Sequence, residues 1–120
     1  MNVVRFALVT GVVALIGVTA AAAAPTQRPI TQADSGRTFR VVRGGHATLR
    51  LSNRWVWSDP HVSTKAVELT PVEYFVDPGF REWRITARAR GKATIRSAGK
   101  PNCPSCKARS FSVTIVVGAG

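Results

Sequence analysis

The sequence predicts an all-β domain folded as a two-sheet sandwich, and three observations carry that expectation. Along residues 81–88, 93–97 and 111–117, apolar and polar side chains alternate, the period-two pattern of strands with one dry and one wet face. Six to eight short runs of this kind are separated by turn residues at close spacing, which points to a sandwich or barrel, of which the sandwich is chosen. After the first 24 residues no stretch has the spacing of an amphipathic helix.

Residues 1–24 read as a signal peptide outside the fold: Arg5 gives the positive start and Phe6 to Ala24 the apolar run. The small residues around Ala20 to Ala23 offer a cleavage site, while Pro25 directly after a cut would hinder the peptidase. An uncleaved anchor is the alternative, since nineteen residues reach ~28 Å as a helix. Cleavage leaves no stable membrane span and a secreted or extracytoplasmic product. The remaining chain suffices for one domain and is too short for two.

Residues 25–36 lack periodicity and carry two prolines, so they are expected to form a flexible N-terminal segment, a tether or a loose first edge, before a sandwich domain at 37–118. Phe39 and Val41 share one side of the next run, and Ala47, Leu49 and Leu51 share one side of the run after it. Gly44-Gly45 between them predicts a hairpin, because tight turns need the positive φ that glycine adopts freely. Trp55 and Trp57 project from one side before an Asp-Pro turn at Asp59-Pro60. Residues 64–70 form another candidate strand, limited by Pro71. Residues 72–76 are β-prone without a clear facing. Asp77-Pro78-Gly79 is a turn. Arg81 to Val117 then supply the last strands, with Cys103 and Cys106 at a hairpin tip.

The charge is +11 for the whole chain. Such a charge speeds encounter with anionic partners and promotes sticking to acidic polymers or headgroups, and it says nothing about fold. Arg50, Arg84, Arg88 and Arg96 fall on the wet faces of their strands and are expected to make a basic face if those strands adjoin. The bland reading is that each guanidinium sits in water, its stem covering apolar surface.

The order of features resembles a bacterial immunoglobulin-like secreted domain, and is distantly similar to the chagasin family of cysteine-peptidase inhibitors. The residues that carry the resemblance are His46 to Ser52 followed by Asn53 and Trp57, the run Ala89 to Ile95, and the final Phe111 to Val117. It implies an immunoglobulin-like β-sandwich whose loops, three at one end in that family, wedge into a peptidase cleft. The family's first loop reads Asn-Pro-Thr-Thr-Gly before a Trp; here Asn53 and Trp57 match its ends, and Arg54-Trp55-Val56 replaces its interior. Its last loop carries Arg-Pro-Trp; here Lys100-Pro101-Asn102 keeps the proline alone.

Cys103-Pro104-Ser105-Cys106 has redox spacing without the helix that lowers a thiol pKa in thiol-exchange enzymes. A zinc site needs about four ligands, and His46 and His61 stand at unrelated spacing. In an exported chain the pair reads as a local disulfide that stiffens a loop, with redox and metal roles as the alternatives. Trp55 and Trp57 fit a stacking platform or, more simply, one buried and one partly exposed indole. Neither histidine has a nucleophile or carboxylate arrangement beside it, and no phosphate loop, paired carboxylates or hydrolase elbow occurs.

The expectation is therefore a non-enzymatic binding module without catalytic residues, metal or cofactor. It presents Asn53, Arg54, Trp55, Trp57, Lys100, Pro101 and Asn102 on loops 53–61 and 98–109. The partner is a protein or an acidic cell-envelope polymer, with no specific nucleic acid expected. The alternatives are chagasin-like inhibition of a papain-like cysteine peptidase and purely electrostatic binding of acidic polymers.

Overall fold

The structure, a computed structural model, describes residues 28–119; the expected signal peptide lies outside them, as do residues 25–27. Nine strands follow among the described residues: β1 Ile30–Thr31, β2 Thr38–Val42, β3 His46–Ser52, β4 Trp55–Trp57, β5 His61–Val62, β6 Val67–Val72, β7 Phe80–Ala87, β8 Gly91–Pro101 and β9 Arg109–Gly118. A 3-10 turn at Gln32–Asp34 links the first two. The first sheet has the order β1-β3-β7-β6, and the second β2-β9-β8-β4, with β5 also on β8.

Alternation places the core. Leu49, Leu51, Trp83, Ile85 and Ala87 of the first sheet face Val41, Trp57, Ala93, Ile95, Phe111, Val113, Ile115 and Val117 of the second, all buried. Register reinforces the layer: Leu49 lies opposite Trp83 in the β3–β7 pair, and Ile95 lies opposite Val113 in the β8–β9 hairpin. Each large side chain withdrawn from water here contributes about 1.5–3 kcal/mol. The molecule is an immunoglobulin-like β-sandwich: the alternation in the sequence implied the sandwich, and the resemblance its immunoglobulin-like form.

Two expectations are corrected. The hairpin across Gly44-Gly45 does not form: β2 lies parallel to β9 in the second sheet, with Phe39 opposite Ile115, while β3 pairs β7 in the first. Gly44 has φ 86°, so the glycine turn is real, but it carries the chain between sheets. Its flanks are tied to both, Arg43 N–H donating to Gly118 O at 3.0 Å and Gly44 N–H to Ala87 O at 2.9 Å. Two glycines permit a reversal without dictating which strands pair.

The second correction is partial: of the tether or loose first edge expected before residue 37, residues 30–31 are an edge strand, but not a loose one. Ile30 is wholly buried, and β1 pairs in parallel with β3, Ile30 beside Leu49. The 3-10 turn begins with a capping box: Thr31 Oγ1 accepts from Ala33 N–H and the Asp34 carboxylate accepts from Thr31 N–H. Asp34 also takes both guanidinium nitrogens of Arg28, at 2.8 and 2.9 Å. Those bonds hold its carboxyl below the usual range although burial pushes the other way. The ordered sheet therefore begins before residue 37, and Pro29 does not prevent this, because β1 is a sheet edge entered after it. Pro71 is likewise tolerated inside β6, an edge strand, opposite Trp83.

Candidate functional site

Three connections converge at one end of the sandwich: the Asn53-Arg54 turn joining β3 to β4, the segment 73–79 joining β6 to β7, and the segment 102–108 joining β8 to β9. Asn53 ties them together. Its Nδ2 donates to Asp77 Oδ1 at 2.7 Å and its N–H to Gly79 O at 3.0 Å, which fixes the 73–79 loop on one side. On the other side Asn102 donates through Nδ2 to Asn53 O at 3.1 Å and through its N–H to Arg54 O at 2.9 Å. Asp77 also accepts from Gly79 N–H, and Gly79 has φ 90°, so the Asp-Pro-Gly turn is built as its residues require.

The 102–108 loop is closed at its tip by the Cys103–Cys106 disulfide, with Cys106 N–H donating to Cys103 O. Its far end is held by Trp55, whose indole N–H donates to Lys107 O at 2.8 Å. Trp55 is half-buried between the guanidinium groups of Arg54 and Arg109, 6.0 and 5.3 Å from its ring centre. Trp57 beneath it is buried, packs edge-on to Phe111 and donates to Ser52 O at 2.9 Å. One tryptophan is thus core, and the other is a strut under the loop with its polar atom already engaged.

The 73–79 loop is the part that residue reading missed. Tyr74 folds back onto the first sheet, its hydroxyl donating to Glu82 Oε1 at 2.6 Å and its ring edge-on to Phe80. Phe75 and Val76 then project outward with relative exposures of 109% and 78%. An exposed Phe beside an exposed Val leaves an apolar patch in solvent at the loop end. The available signal was three β-prone residues, Tyr74 to Val76, wedged between Pro71 and the Asp77-Pro78-Gly79 turn, too few to continue a strand.

Other sequence candidates are placed differently from their expected setting. Residues 98–101 belong to β8, Ala98 opposite Ser110, so Lys100 and Pro101 are strand residues and the loop is 102–108 alone. Within 53–61 the turn is two residues, followed by β4. The four arginines do not form one face. Arg50, Arg84 and Arg88 share the outer side of the first sheet, where Arg50 pairs with Glu82 at 2.8 Å and Arg88 with Glu68. Arg96 lies on the second sheet, opposite Ser112 and His61. Burial pushes the Glu82 carboxyl up, but hydrogen bonds from Tyr74 and Arg50 together hold it below its ordinary value. His46 lies 3.3 Å from the Thr86 hydroxyl, and among the described residues no group of three or more His, Cys, Asp or Glu could hold a metal.

No protein-family model matches this chain, and no curated protein matches it. Among solved structures it is similar to the cysteine protease inhibitor EhICP2 of Entamoeba histolytica, with a TM-score of 0.59 and 16% identity over 75% of this chain and 93% of that one. Weaker likenesses are to amebosin, at TM-score 0.44 and 16% identity over 75% and 96% of the two chains, and to PbICP-C in its complex with falcipain-2. The latter has a TM-score of 0.48 and 14% identity over 79% and 93%. At such identity the first likeness is one of fold, and the two below 0.5 add nothing to it.

Proposed function

We propose that this chain is a protein inhibitor of papain-like cysteine peptidases that acts by binding through the end carrying Asn53, residues 73–79 and residues 102–108. The observation that carries the reading is the hydrogen-bonded union of three connections around Asn53, with Phe75 and Val76 standing clear of it. A pre-formed loop end suits a cleft, because loops already ordered lose little entropy on contact. Phe75 supplies the aromatic anchor of the kind that dominates interface energy. The fold shared with a cysteine protease inhibitor supports the target class, as does the resemblance in strand pattern.

The contact set differs from the family pattern. The Asn53-Arg54 turn is too short for a Thr-Thr-Gly interior, and Asn102 stands where the family has a Trp. In this reading the 73–79 loop takes the greater share of the contact. That same departure favours a second reading, a binding module of the same loop end for a protein other than a peptidase. The disulfide fits action outside the cytoplasm, where such bonds persist.

The test is titration of papain with the full chain against a fluorogenic dipeptide substrate. Inhibition is expected, and Phe75→Ser should weaken it at least about tenfold, as truncation of an interface anchor does. Papain and a cathepsin L-type peptidase left fully active by excess protein would sink the inhibitor reading and leave the second one.

A further inference from the structure

Charge is distributed unequally between the two outer faces of the sandwich. All six acidic side chains lie off β2, β8 and β9: Asp34, Glu68, Glu73, Asp77 and Glu82 sit on the first sheet or its connections, and Asp59 sits in the β4–β5 connection of the second. The outer side of the first sheet is largely self-neutralised through the Arg50–Glu82 and Arg88–Glu68 pairs. On the outer side of the second sheet the one acidic side chain nearby among the described residues is Asp59, which lines a shallow hollow with Arg96 and His61. Asp59, at its margin, pairs with Arg81 at 3.4 Å.

The registers lay that face out in rows. Arg40 and Lys92 flank Val116 across β2, β9 and β8. Thr38, Thr114 and Thr94 make the next row, and Ser112, Arg96 and His61 the one after. Ser110 lies beside Ala98, and Lys100 beside Val56, closing the series. With strands about 4.8 Å apart and about 3.3 Å per residue, Arg40 and Lys92 are roughly 10 Å apart and Lys92, Arg96 and Lys100 step by roughly 13 Å. None of the four has a carboxylate partner among the described residues.

From this arrangement we propose that the outer face of β2, β9 and β8 is a docking surface for an acidic polysaccharide, separate from the loop end. Charge complementarity selects an anion. The fork of Arg40 and of Arg96 suits carboxylate or sulfate groups, and the hydroxyls of Thr38, Thr94, Thr114, Ser110 and Ser112 between the cations exchange hydrogen bonds with sugar hydroxyls. No aromatic residue points outward from these strands, so the face has no platform for stacking bases. Val42 and Val56 are the large exposed apolar residues on it and stand at opposite ends, which gives no wedge for an acyl layer. The cations are spread along the strands rather than clustered, as suits an extended anionic chain lying across them.

The experiment measures binding of the full chain to size-fractionated heparin as a function of salt, with two variants that lose equal charge. The variant R40Q/K92Q/R96Q is expected to bind at least tenfold more weakly at 0.15 M salt, with a salt slope lower by roughly one for each cation removed. The variant R50Q/R84Q/R88Q, its charges on the opposite face, should change affinity by less than twofold. Circular dichroism checks that both fold. F75S should bind heparin as the parent does while losing papain inhibition, and R40Q/K92Q/R96Q should inhibit papain unchanged, so this face and the loop end fail or stand separately. Equal weakening by the two triple variants would mean net charge alone and overturn the proposal. So would tighter binding to a DNA duplex, or capture by phosphatidylglycerol vesicles without capture by heparin.

Discussion

The 73–79 and 102–108 loops grip the same asparagine and are built in opposite ways. The 102–108 loop stands on a stack of aromatic rings, Trp55 at 5.8 Å from Trp57 and Trp57 edge-on to Phe111, and is cross-linked at its tip. A Cβ added at Gly99 would sit 2.9 Å from the Trp57 ring, so the strand beneath that loop is glycine to let the indole close on the backbone. The 73–79 loop has no such foundation. It is pinned through Tyr74 and Asp77 and spends its apolar residues on solvent. One loop draws its shape from the core, the other holds apolar surface in reserve. The lesson is that rigidity and stickiness are supplied by different segments of one end, so each can be removed without the other.

The largest effect that would sharpen this contrast is on stability. Trp57→Ala should cost about 3–5 kcal/mol, most of what a domain of this size holds, because it empties the space between Gly99 and Phe111. Phe75→Ser should leave the melting temperature unchanged, both read by thermal denaturation. A drop of several degrees for Phe75→Ser would erase the distinction.

Next comes the double change Cys103→Ser with Cys106→Ser, expected to cost on the order of 2 kcal/mol or less, since a short loop gives up little entropy in the unfolded chain. Denaturant titration measures it. The accompanying loss of inhibition should be smaller than for Phe75→Ser, and the reverse order would make the cross-linked loop the principal contact.

The smallest effect is an acid dependence beneath Tyr74. Because the Glu82 carboxyl is held below its ordinary value, the folded state binds fewer protons there than the unfolded chain does. Its contribution is present above the unfolded glutamate pKa of about 4.3 and is lost as pH falls through the lower folded value. Melting temperature against pH should therefore fall less steeply below about pH 4 in Glu82→Gln than in the parent. Parallel curves would show that the loop is not fastened through this carboxylate.

Most of the fold was legible because alternation is a local property. Trp83, Ile85, Ala93, Ile95, Phe111, Val113 and Ile115 are interior as their spacing required, and the β8–β9 hairpin carries the disulfide at its tip. Pairing was less legible, since which strand lies beside which depends on distant residues. Gly44-Gly45 looks the same whether the chain returns along its neighbour or crosses to the other layer. The wet side of a strand is readable, but not the sheet it belongs to, so Arg96 was grouped with Arg50, Arg84 and Arg88 although it lies on the opposite face. At the loop end Asn53 and Asn102 were identified from position. Phe75 escaped because exposure of an apolar side chain has no period to betray it.

The parallel pairing of β2 with β9 sets the timing of folding. Thr38 meets Thr114 and Val42 meets Gly118, partners separated by most of the domain. Loop closure over such a span must be met before any of those contacts form, which makes folding slow. A chain emerging from the ribosome cannot complete its second sheet until Gly118 has been made, although every strand of the first sheet is present once Ala87 has been added.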